Sequence, residues 1–403
     1  MLFVLVISTL TLAFDIRPAF AQAETIYINA DGSISPPTAS ISTLDNVTYI
    51  LVDNINEGIT VQRNNIVIDG NGHTLTPTTS DNYGFNLTNV DNVTITNATL
   101  TASSQNIPAF LLLNTNNSQI TSNSIIGDPF GTCYMYAVSL TSCFGNNVSN
   151  NRDSGTTFGI VLDDSCNNVL FNNYLDSGIF GGIVLTSSDN NNLSGNYVSG
   201  YAKFSGPGNS WEGSFELSSS DNNTLIGNDV TGNGQGILLE GSDNNILIAN
   251  NVTGNQGEEG GGQAETPPDG FGISIGSSSN NTVYHNNFVG NFYYKLWGSS
   301  FGATIENNVV SDGSPNVWDD GYPSGGNFWS DYNGTDLHSG PYQNVTGSDG
   351  IGDTPYVIDV NNTDHYPLMV SYVVPEFPSF LILPLFMIAI LLAIAFYKKK
   401  AIQ

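Results

Sequence analysis

Positive charge is what this chain most lacks. Eight Lys and Arg stand against 36 Asp and Glu, for a formal net charge of −28. Arg17 lies in the first apolar stretch and Lys398, Lys399 and Lys400 close the chain, so Arg63, Arg152, Lys203 and Lys295 are the only cations between. With Asp15 also set aside, those four face 35 acids, a charge near −31. A surface with no basic patch excludes nucleic acid as a partner. Polyanions such as pectate or alginate would be repelled unless cations bridge them. Sulfur and imidazole are scarce too. Cys133, Cys143 and Cys166 do not have the spacing of a zinc site. His73, His285, His338 and His365 are scattered, and no His or Met pair recurs at the short spacing copper would use. His73 reads as a corner residue.

What is abundant is one phrase with small variations. It begins at Gly159, Gly182, Gly213, Gly236 and Gly272, at intervals of 23, 31, 23 and 36 residues. Each copy has a short apolar run, a polar corner such as Asp-Asn-Asn, a second apolar pair, and a Gly-Asn or Asn-Asn corner. Period-2 alternation without helical spacing reads as strands. A fixed repeat of this length marks stacked rungs, here a parallel β-helix of about ten rungs and roughly 50 Å. Ile, Val and Leu face inward, while Asn tolerates left-handed backbone at corners and can stack in ladders. Weaker copies start at Ile66, Gly84, Phe110 and Tyr136. The extra residues must leave as loops, chiefly Tyr201–Trp211 and Gln256–Pro268.

The ends read as addresses. Residues 1–21 end in Ala19-Phe20-Ala21, a cleavage pattern, although no Lys or Arg precedes the apolar run. Residues 379–397 are almost wholly apolar and precede the lysines, as in a membrane-spanning helix with a cytoplasmic tail at 398–403. Between lie an N-terminal cap (22–50), the repeats (51–310), a C-terminal cap (311–370) and a linker (371–378). The expected body is extracellular, with its N-terminus outside.

Several side chains are candidates for function. Asp163 and Asp164 form the best carboxylate pair for a hydrolase, with Glu216 and Glu240 at comparable places on later rungs. Arg152 and Lys203 are the cations available as a lyase base. All these acids also read as solvated strand ends. Phe204, Trp211, Tyr293, Tyr294 and Trp297 could stack on sugar rings or cover loop bases. Asp319, Asp320, Asp349 and Asp353, with Asp331 and Asp336, crowd a turn-rich stretch suited to calcium or to ordinary turn chemistry. Cys143 and Cys166 fall near the same corner of adjacent rungs, where a disulfide fits; Cys133–Cys143 competes. Sequons include Asn46, Asn86, Asn92, Asn147, Asn251, Asn333 and Asn344.

The phrase Ile68-Asp-Gly-Asn-Gly-His-Thr-Leu75 and the segments Tyr322–Tyr332, Gly347–Tyr356 and Asp364–Leu368 resemble the NosD-like branch of the carbohydrate-binding and sugar-hydrolase proteins. That resemblance implies a right-handed, single-stranded, pectin-lyase-like β-helix, and it raises copper maturation as a function. Pro375-Glu-Phe-Pro-Ser before the apolar span resembles the PEF-CTERM signal of archaeal surface proteins. It implies export and cleavage by an archaeosortase, with lipid attachment in place of the span. The expected function is a surface module that binds glycan or builds the cell envelope. A polysaccharide lyase or hydrolase, or a copper-maturation protein, are the alternatives.

Overall fold

A computed structural model describes residues 25–77, 83–101, 108–127, 135–201, 214–258, 270–297, 300–306 and 308–373. The signal-like stretch, the apolar span, Cys133, Lys203, Phe204 and Trp211 lie outside them. Among the described residues no helix is long and apolar enough to cross a membrane.

The chain winds as a parallel β-helix with three long sheets of 12, 11 and 10 strands. The three sheets are called first, second and third in the order a coil meets them. Nine coils carry all three strands, from the one opening at Ile59–Val61 to the one closing at Asn287–Val289. Pairing between coils is parallel and in register, as in Ile160↔Ile183↔Phe215 and Leu162↔Leu185↔Leu217. At the N-terminal end the pairing turns antiparallel: Ile26–Ile28 with Ile34–Ser35, and Ile41–Thr43 with Thr48–Leu51.

Burial follows the alternation. In Phe215–Ser218, Phe215 and Leu217 point in and are fully buried. Each such side chain contributes about 2 kcal/mol of apolar burial. Stacking one per coil makes a continuous core along the axis.

The Asn doublets divide two tasks between neighbours. Asn167, Asn190, Asn222, Asn244 and Asn280, one per coil, have φ of 58° to 60°. They supply the left-handed step that turns the corner, at low cost for Asn. The residues after them, Asn168, Asn191, Asn223, Asn245 and Asn281, are at most 1% exposed. A second column runs through Asn151, Asn173, Asn196, Asn228, Asn250 and Asn286, also buried. In it each Oδ1 accepts the backbone N–H and Nδ2 of the coil before, as Asn196 does from Asn173 at 3.1 and 2.9 Å. These ladders satisfy corner amides that the sheets leave unpaired.

At the C-terminal end Trp318 and Trp329 close the core, each 1% exposed. Trp329 stacks between Phe288 at 4.6 Å and Tyr356 at 4.5 Å, and its Nε1 donates to buried Asp364.

Candidate functional site

On the outer face of the third sheet, the residues after Asn151, Asn173, Asn196, Asn228 and Asn250 point away from the core, Arg152 exposed and the others half-buried. In successive coils they are Arg152, Tyr174, Tyr197, Asp229 and Asn251, paired in register. The Arg152 guanidinium carbon lies 4.6 Å over the Tyr174 ring. Tyr174 stacks on Tyr197 at 4.4 Å with planes 7° apart. Asp176 follows two residues after Tyr174 on the same strand. Desolvation, then Tyr197 and Asp176, hold the Tyr174 hydroxyl above its usual value. Desolvation raises Asp229, against a hydrogen bond from Asn251. Guanidinium, phenol hydroxyls and carboxylates thus line up at coil spacing, about 4.8 Å. These groups donate to and accept from hydroxyls, and the aromatic bodies give apolar contact. Sequence reasoning singled out Arg152 but missed both tyrosines. Aligning the residues after Asn151, Asn173 and Asn196 would have found them.

The other expected site residues do not gather there. Asp163 is exposed at the end of Phe158–Asp163 in the first sheet, paired with Thr141 and Thr186. Asp164 takes the left-handed corner position, φ 48°, and accepts Ser142 Oγ at 3.4 Å. Arg152 stands on a different sheet from this pair. Glu216 and Glu240 sit on neighbouring rows of the first sheet, Glu240 lying over Gly276. Tyr293, Tyr294 and Trp297 belong to the strand Phe292–Trp297, which joins Gln256–Glu258 and Ser300–Glu306 in a small separate sheet. Asn46, Asn92, Asn333 and Asn344 are exposed, whereas Asn86, Asn147 and Asn251 are half-buried within strands.

The disulfide expectation is corrected: Cys143 and Cys166 are free. Cys143 aligns with Ser165, whose hydroxyl accepts its N–H, while Cys166 pairs with Phe144. This one-residue offset sends the two thiols to opposite faces.

The calcium expectation also meets different geometry. Among the described residues no three His, Cys, Asp or Glu converge to hold a metal ion. Asp353 accepts the backbone N–H of Leu337 and His338, both at 2.9 Å. Those bonds hold its carboxyl below the usual range, that from Leu337 most. Asp349 accepts from Gly340 and Ile351, Asp320 from Ser324, and Asp319 from Gly321 and His365. These carboxylates brace turns. Calcium at a few millimolar should leave the unfolding midpoint unchanged within about 1 °C, because a site that binds nothing adds no stability. A rise of several degrees, reversed by chelator, would contradict that assignment.

One buried acid had no sequence signal. Asp153 lies on an inward row otherwise filled by Leu100, Ile125, Leu175, Val198 and Val230. It is 0% exposed. Its Oδ2 accepts Thr156 Oγ1 at 2.5 Å and the Tyr201 hydroxyl at 2.6 Å. Its Oδ1 has no hydrogen-bond partner among the described residues. Burial pushes its carboxyl up to about 7, against those two bonds.

These features define a parallel β-helix whose third sheet carries an outward, half-exposed polar and aromatic row. Residues 60–256 and 207–334 match the model of a family described as periplasmic copper-binding protein (NosD), and the chain belongs to that family. The family's periplasmic description agrees with the export expected from residues 1–21. Solved structures similar to this chain include a variant of the periplasmic alginate epimerase AlgG, 14% identical, with TM-score 0.36 over 72% of this chain and 82% of that one. A DFA-IIIase variant from Arthrobacter chlorophenolicus A6 is 12% identical, with TM-score 0.42 over 66% of each chain. The A-module of a mannuronan C-5 epimerase from Azotobacter vinelandii is 12% identical, with TM-score 0.31 over 67% of this chain and 88% of that one. Comparison with curated proteins gave no match.

Among the described residues, His285, His338, His365, Cys143 and Met135 do not gather as ligands for the copper in the family's description, and no three His, Cys, Asp or Glu converge. His285 Nε2 bonds the Ser324 carbonyl at 2.8 Å, and His338 and His365 each pair with a separate carboxylate, Asp353 and Asp319. Burial raises the Cys143 thiol, which disfavours the thiolate a metal needs, and Met135 is in the core.

Proposed function

We propose that this protein is an exported, membrane-anchored β-helix module that binds neutral glycan along its third sheet, in the cell envelope. The observation that carries the reading is the Arg152–Tyr174–Tyr197 stack with Asp176 and Asp229 alongside. The acidic body argues against polyuronates, since only Arg152 in this row could offset them. Neutral chains meet no such penalty. Their hydroxyls match a row of donors and acceptors spaced by the coil, and the anchor expected at 379–397 would hold the rod at the surface.

The test is a glycan-array screen of the full chain, with product analysis of every hit. Retention of neutral oligosaccharides, lost at least tenfold in Arg152→Ala and Tyr174→Ala, supports the reading. Binding that survives both substitutions rejects this row. Shortened or unsaturated products, abolished in Asp163→Asn/Asp164→Asn, would move the protein to the hydrolases or lyases.

A further inference from the structure

The second sheet presents a face unlike the rest of the molecule. From Thr48–Leu51 to Thr282–Tyr284 two residues of each strand point away from the core, and Asp69 is the one charged residue among them. The corresponding rows of the first sheet include Asp163, Glu216 and Glu240, and those of the third Arg152, Asp176 and Asp229. A face ten strands long with a single carboxylate stands apart in a chain of net charge −28. Along its middle and later coils apolar side chains alternate with short uncharged polar ones such as Asn192, Ser194 and Thr224. Phe171 is 48% exposed, Ile246 39%, Ile226 38% and Val169 38%. Carboxylates stand at its rim, where Asp189, Asp221 and Asp243 each accept a backbone N–H from the following coil.

We propose that this face is where two copies of the chain associate, second sheet against second sheet. Charge selects the occupant. Two bodies this acidic repel each other on every side, and least across a face with a single carboxylate. Area agrees. Ten coils at about 4.8 Å and strands about 10 Å wide give a pair burying on the order of 1,000 Å², the lower bound for a specific interface. Two flat sheets pack at about 10 Å with interleaved side chains, and an apolar centre inside a polar rim is common at interfaces. Phe171 lies near the middle coil, so a two-fold axis there would bring it against its own copy. The proposal is independent of glycan binding, which uses the third sheet.

Sedimentation velocity tests it on the full chain, made without N-linked glycans and kept in detergent for the apolar stretch 379–397. The expected result is a monomer–dimer equilibrium in the micromolar range that tightens between 0.1 and 1 M salt, as the acidic bodies are screened. Phe171→Glu and Ile246→Glu should each weaken it at least tenfold, while Thr231→Glu on the third sheet leaves it unchanged. Melting curves establish that each variant is folded, and Ile226→Lys stands in if one is not. A wild-type chain monomeric at all concentrations overturns the proposal. So does association that Phe171→Glu and Ile246→Glu leave intact, or that salt dissolves.

Discussion

Replacing Asn173 with alanine should destabilise the protein by roughly 3–5 kcal/mol, while Asn172→Gly beside it costs under about 1 kcal/mol. The two residues are the same type and adjacent, but they do different things. Asn172 is exposed with φ 53°, a backbone geometry glycine adopts freely. Asn173 is 1% exposed. Its Oδ1 accepts the Asn151 N–H at 3.2 Å and its Nδ2 donates to the Val148 carbonyl at 2.8 Å. Alanine strands both buried groups, at about 1–3 kcal/mol each, and leaves a cavity. Denaturant unfolding measures the total, and hydrogen exchange should show the Asn151 amide losing protection. Equal costs at the two positions would mean that the ladder is not what holds the corners.

The second large effect is on pH dependence. Asp153 and Asp364 are both pushed up to about 7 by burial, from an ordinary value of 3.8. A carboxyl whose folded value is raised keeps its proton in the fold while the unfolded chain has already lost it. Stability therefore falls as pH rises from about 4 to about 7, then levels off once both states are ionised. For Asp153 the penalty at pH 8 is on the order of 4 kcal/mol. In the double variant Asp153→Leu/Tyr201→Phe, leucine matches Leu175 and Val198 on the same row. Phenylalanine keeps the ring that fills the space beside Gly178, and Thr156 retains the Phe158 carbonyl. The double variant should melt higher than wild type at pH 8, with a shallower slope between pH 5 and 8. Buried ionic groups replaced as a set by apolar ones commonly behave this way. A steeper slope, or a loss of stability at pH 8, would show that the Asp153–Tyr201 bond stabilises the charged fold.

How much could be read from the sequence depended on whether a feature repeats. The coils, their inward Ile, Val and Leu and both uses of Asn were visible because each recurs once per turn. The tyrosine row recurs as well, yet it shows only when coils are aligned on the buried Asn rather than on the opening Gly. Asp153 does not repeat. Its inward position follows from register alone, and beside Arg152 it looks like half of a solvated pair. The cysteines failed for the same reason, since Cys143 and Cys166 are one residue out of register and that step reverses the face. The acidic turns of the C-terminal region carried a calcium-like composition, but composition cannot show that backbone N–H groups and neighbouring side chains already bond those carboxylates.

Two faces of one rod are assigned separate partners, a glycan on the third sheet and a second copy on the second. Titration of a neutral oligosaccharide chosen from the array into wild type, Tyr174→Ala and Phe171→Glu tests that division most directly. The account predicts that Tyr174→Ala loses at least tenfold in affinity while Phe171→Glu binds as wild type does. Unchanged binding by Tyr174→Ala, or loss of binding in a folded Phe171→Glu, would contradict it.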